Sequence, residues 1–163
     1  AWEGSILLMV THGITTGALF VLVALIRERT GTRSIQELGG LWGQAPCLAA
    51  LFLLFSLASL GLPGLANFAG EILVLLGTFQ KHPIWAVVAL LGVVFAAAYM
   101  LRLVQGVVWG PARTERAMPD LTMREGLMLL PMAILVVWLG LYPAPFLAPL
   151  HGAVAALLAG GLP

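Results

Sequence analysis

The sequence predicts an all-α, polytopic membrane protein with four transmembrane helices, the second of them discontinuous, and a C-terminal interfacial helix. Three observations carry that expectation. Hydrophobic residues make up 61% of the 163-residue chain before its 19 glycines are counted, and charged residues only 9%, against about 25% in an ordinary soluble domain. The apolar stretches run well past the ten or so residues of a barrel strand, which selects helices. One such stretch is interrupted by Gly61-Leu62-Pro63-Gly64 and carries a single carboxylate, Glu71.

Taken in order, the first span covers residues 4–26 and ends at Arg27-Glu28-Arg29. A polar loop follows to about Gln44. Within it Ser34-Ile35-Gln36-Glu37 has the capping-box pattern and predicts one short surface helix closed by Gly39. Residues 46–80 form an overlong apolar run, broken at 61–64. The third span covers 84–109, after Pro83 and before Gly110-Pro111. The fourth, 123–142, starts at the capping box Thr122-Met123-Arg124-Glu125 and stops at Pro143. The tail 143–163, broken by Pro145, Pro149 and Gly152, reads as an interfacial helix. The whole chain is one membrane segment, and its start at Ala1 rather than methionine suggests a piece of something longer.

The run 46–80 has two geometries open to it, one broken span or a two-helix hairpin. Each half has about fourteen residues, roughly 21 Å of helix, too short to cross a 30 Å hydrocarbon core untilted. A single span also puts Arg27, Arg29 and Arg33 on the same side as Arg113, Arg116 and Arg124, with Lys81 alone opposite. By the positive-inside rule the arginine loops are then cytoplasmic. A hairpin leaves no bias, so one broken span is the expectation.

Other function classes fall away. A formal charge of +1 offers no basic field for nucleic acid. A lone cysteine, Cys47, excludes an internal disulfide and any multi-cysteine metal or iron–sulfur site. No glycine-rich nucleotide cradle follows a strand. The chain itself is therefore expected to hold no cofactor and no metal. Its solvent is the lipid bilayer.

The chemistry concentrates at the break. Proline removes a backbone donor and glycine loosens the chain, so Gly61, Pro63 and Gly64 interrupt the helix. Such a break in hydrocarbon survives only where protein or water satisfies the freed groups, and discontinuous helices of this kind line transport sites. Asn67 is placed to cap the second half-helix, with Glu71 one turn along the same face and Thr78 beyond it. Ser56 and Ser59 supply hydroxyls in the first half. Burial favours the neutral acid at Glu71 while the positive end of the half-helix favours the carboxylate, opposed effects suited to loading and releasing protons. A glutamate merely satisfied by a partner helix is the bland alternative. The cost of an intramembrane charge, about 2.5–3.5 kcal/mol on insertion scales, favours function.

His12 lies mid-span in the first helix, with Ser5, Thr15 and Thr16 on its face, a polar stripe suited to holding water or passing protons. Its bland alternative is a neutral imidazole bonded to a backbone carbonyl. Gly13-x-x-x-Gly17 suits close helix packing. Arg102, with Tyr99 and Gln105 nearby, either snorkels to the interface or borders a hydrated path. Glu3, Lys81, His82 and His151 fall at predicted interfaces.

These residues resemble a known family. Met9-Val10-Thr11-His12-Gly13, Gly17-Ala18-Leu19-Phe20, Thr32-Arg33, Leu38-Gly39-Gly40-Leu41, and above all Ala58-Ser59-Leu60-Gly61-Leu62-Pro63-Gly64 through Asn67-Phe68-Ala69-Gly70-Glu71 are similar to the antiporter-like subunits of proton-pumping NADH:quinone oxidoreductase, respiratory complex I. The glutamate, where related chains usually carry lysine, narrows the resemblance to the M-type (mitochondrial subunit-4 type) branch.

The resemblance covers nearly all of this chain but about the last third of the family's, its final four helices. It implies that the first span is the family's eleventh helix and the broken one its twelfth. Glu71 would then end a horizontal chain of buried charges, with His12 one of its connecting groups. It further implies other membrane subunits as partners, and FMN, iron–sulfur clusters, NADH and quinone on other subunits, with no redox chemistry here. The family's other key charged groups lie on helices absent here, so this stretch cannot pump alone. Arg102 falls where the family varies.

Three functions compete. The leading one is a proton-translocating subunit of the oxidoreductase, a respiratory-chain assembly. The second is a subunit of a multisubunit cation/proton antiporter or a membrane-bound hydrogenase, against which the glutamate speaks. The third is a passive membrane anchor or assembly scaffold. The arginine- and alanine-rich, lysine-poor composition suggests a bacterium with GC-rich DNA, hence an inner membrane.

Overall fold

The computed structural model describes residues 1–111 and 118–160, and the helices account for most of them: α1 (Trp2–Thr30), α2 (Leu41–Gln44), α3 (Pro46–Ser59), α4 (Ala66–Lys81), α5 (Pro83–Val108), α6 (Met123–Leu141) and α7 (Ala144–Ala159). No strand occurs among the described residues. The chain is all-α, and α1, α5 and α6 are each long and apolar enough to cross a membrane.

α1 outruns its apolar core and stops only at Gly31, whose φ of 80° lets its N–H reach back 2.7 Å to the Arg27 carbonyl. A side chain is rarely tolerated in that left-handed conformation. The segment 34–37 does not form the expected surface helix. It makes a turn in which the Glu37 and Leu38 N–H groups bond the Ser34 carbonyl. The Ser34 N–H itself is taken by the Thr32 hydroxyl, and no helix follows until α2 begins after left-handed Gly40. A local side-chain turn has won over helix initiation.

α1 and α4 run antiparallel through small residues. A Cβ added at Gly77 would strike Ala1, one at Gly70 would strike Leu8, and one at Gly4 would strike Leu73. Among the described residues, the close approach of helices is made at Gly4, Gly70 and Gly77 rather than at Gly13 and Gly17. Gly13 has nothing within 4 Å of its Cβ direction, and Gly17 meets only the tip of Met132.

At the other end, Asp120 caps α3. Its carboxylate accepts the Cys47 and Leu48 N–H groups, both at 2.9 Å. Arg29, in the last turn of α1, bonds the Pro119 and Asp120 carbonyls and ion-pairs with Glu125. α3 therefore starts beside the end of α1, and α4 ends beside its start. The two short helices lie end to end along α1, about 21 and 24 Å long against about 43 Å.

The capping box at Thr122 and Glu125 is present in full, with each side chain bonding the other's backbone. α6 continues through Pro131, and α7 continues through Pro149. α7 buries no residue. It is held by Glu3 of α1 through His151 and by an edge-on contact of Trp138 with Phe146. The core is built by α1, α3 and α6 with parts of α4 and α5, from residues such as Leu22, Ile26, Phe52, Phe55, Val104 and Val136. Arg27, Arg29, Arg33 and Arg124 gather at the end where α3 starts, and Lys81 lies at the opposite end; Arg113 and Arg116 fall outside the described residues.

Candidate functional site at the interrupted helix

The break between α3 and α4 spans residues 60–65. Leu60, Gly61 and Leu62 close α3 by returning their N–H groups to Ser56, Ala58 and Leu57. Gly61 and Gly64 then take φ of 76° and 90°, and Pro63 between them brings no donor. The chain re-enters helix from extended Leu65. α6 pins the junction from outside: a Cβ at Gly140 would run into the backbone of Gly64 and Leu65. An apolar helix can lie across a broken one this closely only where a glycine faces it.

Glu71 returns to the break from the second turn of α4. Its half-buried carboxylate packs directly on Gly61, so that a Cβ there would lie 2.9 Å from the Glu71 carboxyl carbon and closer still to one oxygen. No hydrogen bond or ion pair to Glu71 occurs among the described residues.

Asn67 does not cap α4. The cap is Leu65, which leaves Asn67 second in the helix, where backbone angles are already helical and the side chain faces inward. Asn67 is 1% exposed and Ser56 across the break is fully buried, and neither the Asn67 Oδ1 nor the Ser56 Oγ has a hydrogen-bond partner among the described residues. The antiparallel register carries Asn67 opposite Thr11 of α1. Ser59 is half-buried at the end of α3, and Thr78 gives its carbonyl to the His82 N–H.

His12 is exposed on this stretch of chain, and its Nε2 lies 3.3 Å from the Thr16 hydroxyl one turn on. Thr15 does not join that surface. It is fully buried and donates to the Thr11 and His12 carbonyls. Ser5 bonds back to the Ala1 carbonyl. The predicted stripe thus keeps Ser5, His12 and Thr16, while Thr15 lies buried behind it with Thr11. No hydrogen bond or ion pair joins His12 to Glu71 among the described residues. Tyr99, Arg102 and Gln105 share an exposed face of α5, with no hydrogen bond or ion pair among the described residues.

Sequence reasoning missed Thr11, Gly140 and Asp120. Thr11 carried a signal, its place one turn before Thr15. The other two act across tens of residues and carried none. No group of three or more His, Cys, Asp or Glu is placed to hold a metal ion among the described residues.

Residues 1–96 match the family model described as NADH:quinone oxidoreductase/Mrp antiporter, transmembrane. The chain belongs to that family. It is 42% identical over 156 residues to NADH-quinone oxidoreductase subunit M of Pseudomonas aeruginosa, covering 93% of this chain and 31% of that one. Chain 4 of the NADH-ubiquinone oxidoreductase of Marchantia polymorpha is 41% identical, with 98% and 32% covered. Among solved structures, respiratory complex I from Thermus thermophilus with bound NADH contains a chain that superposes with a TM-score of 0.87 at 39% identity, covering 96% of this chain and 34% of that one. The chain spans about a third of the length of the curated relatives it matches.

The resemblance drawn from the motif residues and the all-α membrane fold thus both hold. The family model takes in the whole of α1, the break and Glu71.

Proposed function

We propose that this chain is the distal part of a proton-translocating, antiporter-like membrane subunit of NADH:quinone oxidoreductase, in which Glu71 and His12 transfer protons. The observation that carries the reading is the Glu71 carboxyl, half-buried at an interrupted helix in a chain of this family. A carboxylate oxygen there gains a proton from a hydrated neighbour and gives it to another as the charge around it changes. Moving a proton against 100 mV costs about 2.3 kcal/mol, so transport needs an energy source. Quinone reduction on other subunits, with NADH, FMN and iron–sulfur clusters, would supply it.

α3 and α4, end to end along α1, act as one interrupted span. The clustering of Arg27, Arg29, Arg33 and Arg124 at one end, with Lys81 at the other, supports a cytoplasmic face at the arginine end of a bacterial inner membrane. Tyr99 and Arg102, exposed on α5, suit contact with lipid or a neighbouring membrane subunit better than a part in the proton path. The names of the relatives favour the oxidoreductase over a cation/proton antiporter.

Glu71→Gln in the intact complex tests the reading. NADH-driven proton transport should fall roughly 10-fold or more, in line with loss of a proton-transfer group, while assembly persists. Full transport by that variant rejects it, and an assembly defect without a transport defect favours a scaffold.

A further inference from the structure

We infer that Gly61 is the seat of the Glu71 carboxyl: a positioning residue whose missing side chain, rather than its flexibility alone, is what the site requires. The inference rests on the reading of Glu71 as the proton carrier and goes beyond it. Two glycines in the break have left-handed backbones, Gly61 at φ 76° and Gly64 at φ 90°. Flexibility explains both equally. Their surroundings differ. A Cβ at Gly64 would meet only the tip of Leu141 at 3.7 Å, an ordinary contact. A Cβ at Gly61 would overlap the Glu71 carboxylate, with all three of its terminal atoms within 3.1 Å.

The carboxyl therefore rests on the bare backbone at the exact turn where α3 ends. No side-chain donor from the described residues holds it there, so its position depends on shape. The Gly61 N–H is already given to the Ala58 carbonyl, and what Gly61 contributes is room. Gly140 fixes the far side of the same turn by packing on Gly64 and Leu65, which keeps the seat from drifting away from Glu71. A methyl group at Gly61 would push the carboxyl off the junction of the two half-helices.

The test is a double-mutant cycle in the intact complex, read as NADH-driven acidification of inverted membrane vesicles and as assembly on native gels. Gly64→Ala measures the cost of placing a side chain on a left-handed backbone in this break. Gly61→Ala should lose roughly 10- to 100-fold more transport than Gly64→Ala, since displacing a reacting group by about 1 Å can cost up to about 100-fold. Glu71→Asp, one methylene shorter, withdraws the carboxyl from the collision. In its presence Gly61→Ala should cost no more than Gly64→Ala does.

If Gly61→Ala prevents assembly, Glu71→Asp should restore it. Equal losses for the two alanines, or a Gly61→Ala defect that Glu71→Asp leaves unchanged in transport or assembly, overturns the seat. Loss of transport in Glu71→Gln alongside a harmless Gly61→Ala rejects the seat alone. Full transport in Glu71→Gln rejects the reading of Glu71 itself.

Discussion

Arg29, in the last turn of α1, and Glu125, in the first turn of α6, form an ion pair 2.8 Å long with both side chains largely shielded from solvent. The pair joins residues almost a hundred positions apart at the end of the bundle where α3 starts. The same guanidinium also bonds the Leu25, Pro119 and Asp120 carbonyls. Arg29 thus ties the connection before α6 to the end of α1.

Replacing Arg29 should therefore cost more than an exposed ion pair would. Arg29→Ala leaves the Glu125 carboxylate and two loop carbonyls short of donors, a loss of about 1–3 kcal/mol. Arg29→Lys should recover only part of it, because an ammonium cannot span the same fork of acceptors. Thermal unfolding of the purified complex, followed at this subunit, checks the order wild type, lysine, alanine.

Asp120 supplies the second tie. Burial raises its carboxyl, but N–H groups of Cys47, Leu121 and Leu48, with the Cys47 thiol, outweigh that and hold it below the usual carboxylate range. A depressed native value means the stabilisation is present above the unfolded value of about 3.9 and is lost as pH falls through the lower native one. Asp120→Ala should cost about 1 kcal/mol at neutral pH through the lost cap of α3. The difference in melting temperature from wild type should shrink below about pH 4.

Gly140 and Gly13 make a matched pair. Gly140→Ala drives a methyl into the Gly64 and Leu65 backbone, whereas Gly13→Ala enters open space within this stretch. The first should destabilise by about 1–3 kcal/mol as an overpacking change. The second should be neutral or gain up to about 1 kcal/mol from helix propensity. Comparing the two melts in detergent separates packing on the break from glycine's general cost.

Ser56→Ala removes a hydroxyl that is buried without a partner among the described residues. Taking away an unsatisfied group should leave stability unchanged or raise it slightly. A fall of more than about 1 kcal/mol would show that the Oγ is hydrogen-bonded in the working complex.

The sequence by itself settled what depends on neighbours within a turn or two. Apolar length made the helices, the Thr122–Glu125 capping box started α6, and Gly61-Leu62-Pro63-Gly64 interrupted the run because proline lacks a donor and glycine admits positive φ. It misplaced the surface helix at 34–37 and the role of Asn67. The first error came from the Thr32 hydroxyl and the Ser34 carbonyl forming a local turn in place of a helix start, the second from one residue of register, since α4 begins directly after Leu65 and takes Asn67 inside it.

Tertiary structure alone decided the rest: Asp120 capping a helix some seventy residues earlier, Gly140 lying on the break, and the Glu71 carboxyl resting on Gly61. These contacts depend on how whole helices slide and turn against one another. That register is fixed by packing over many residues, and no local pattern records it.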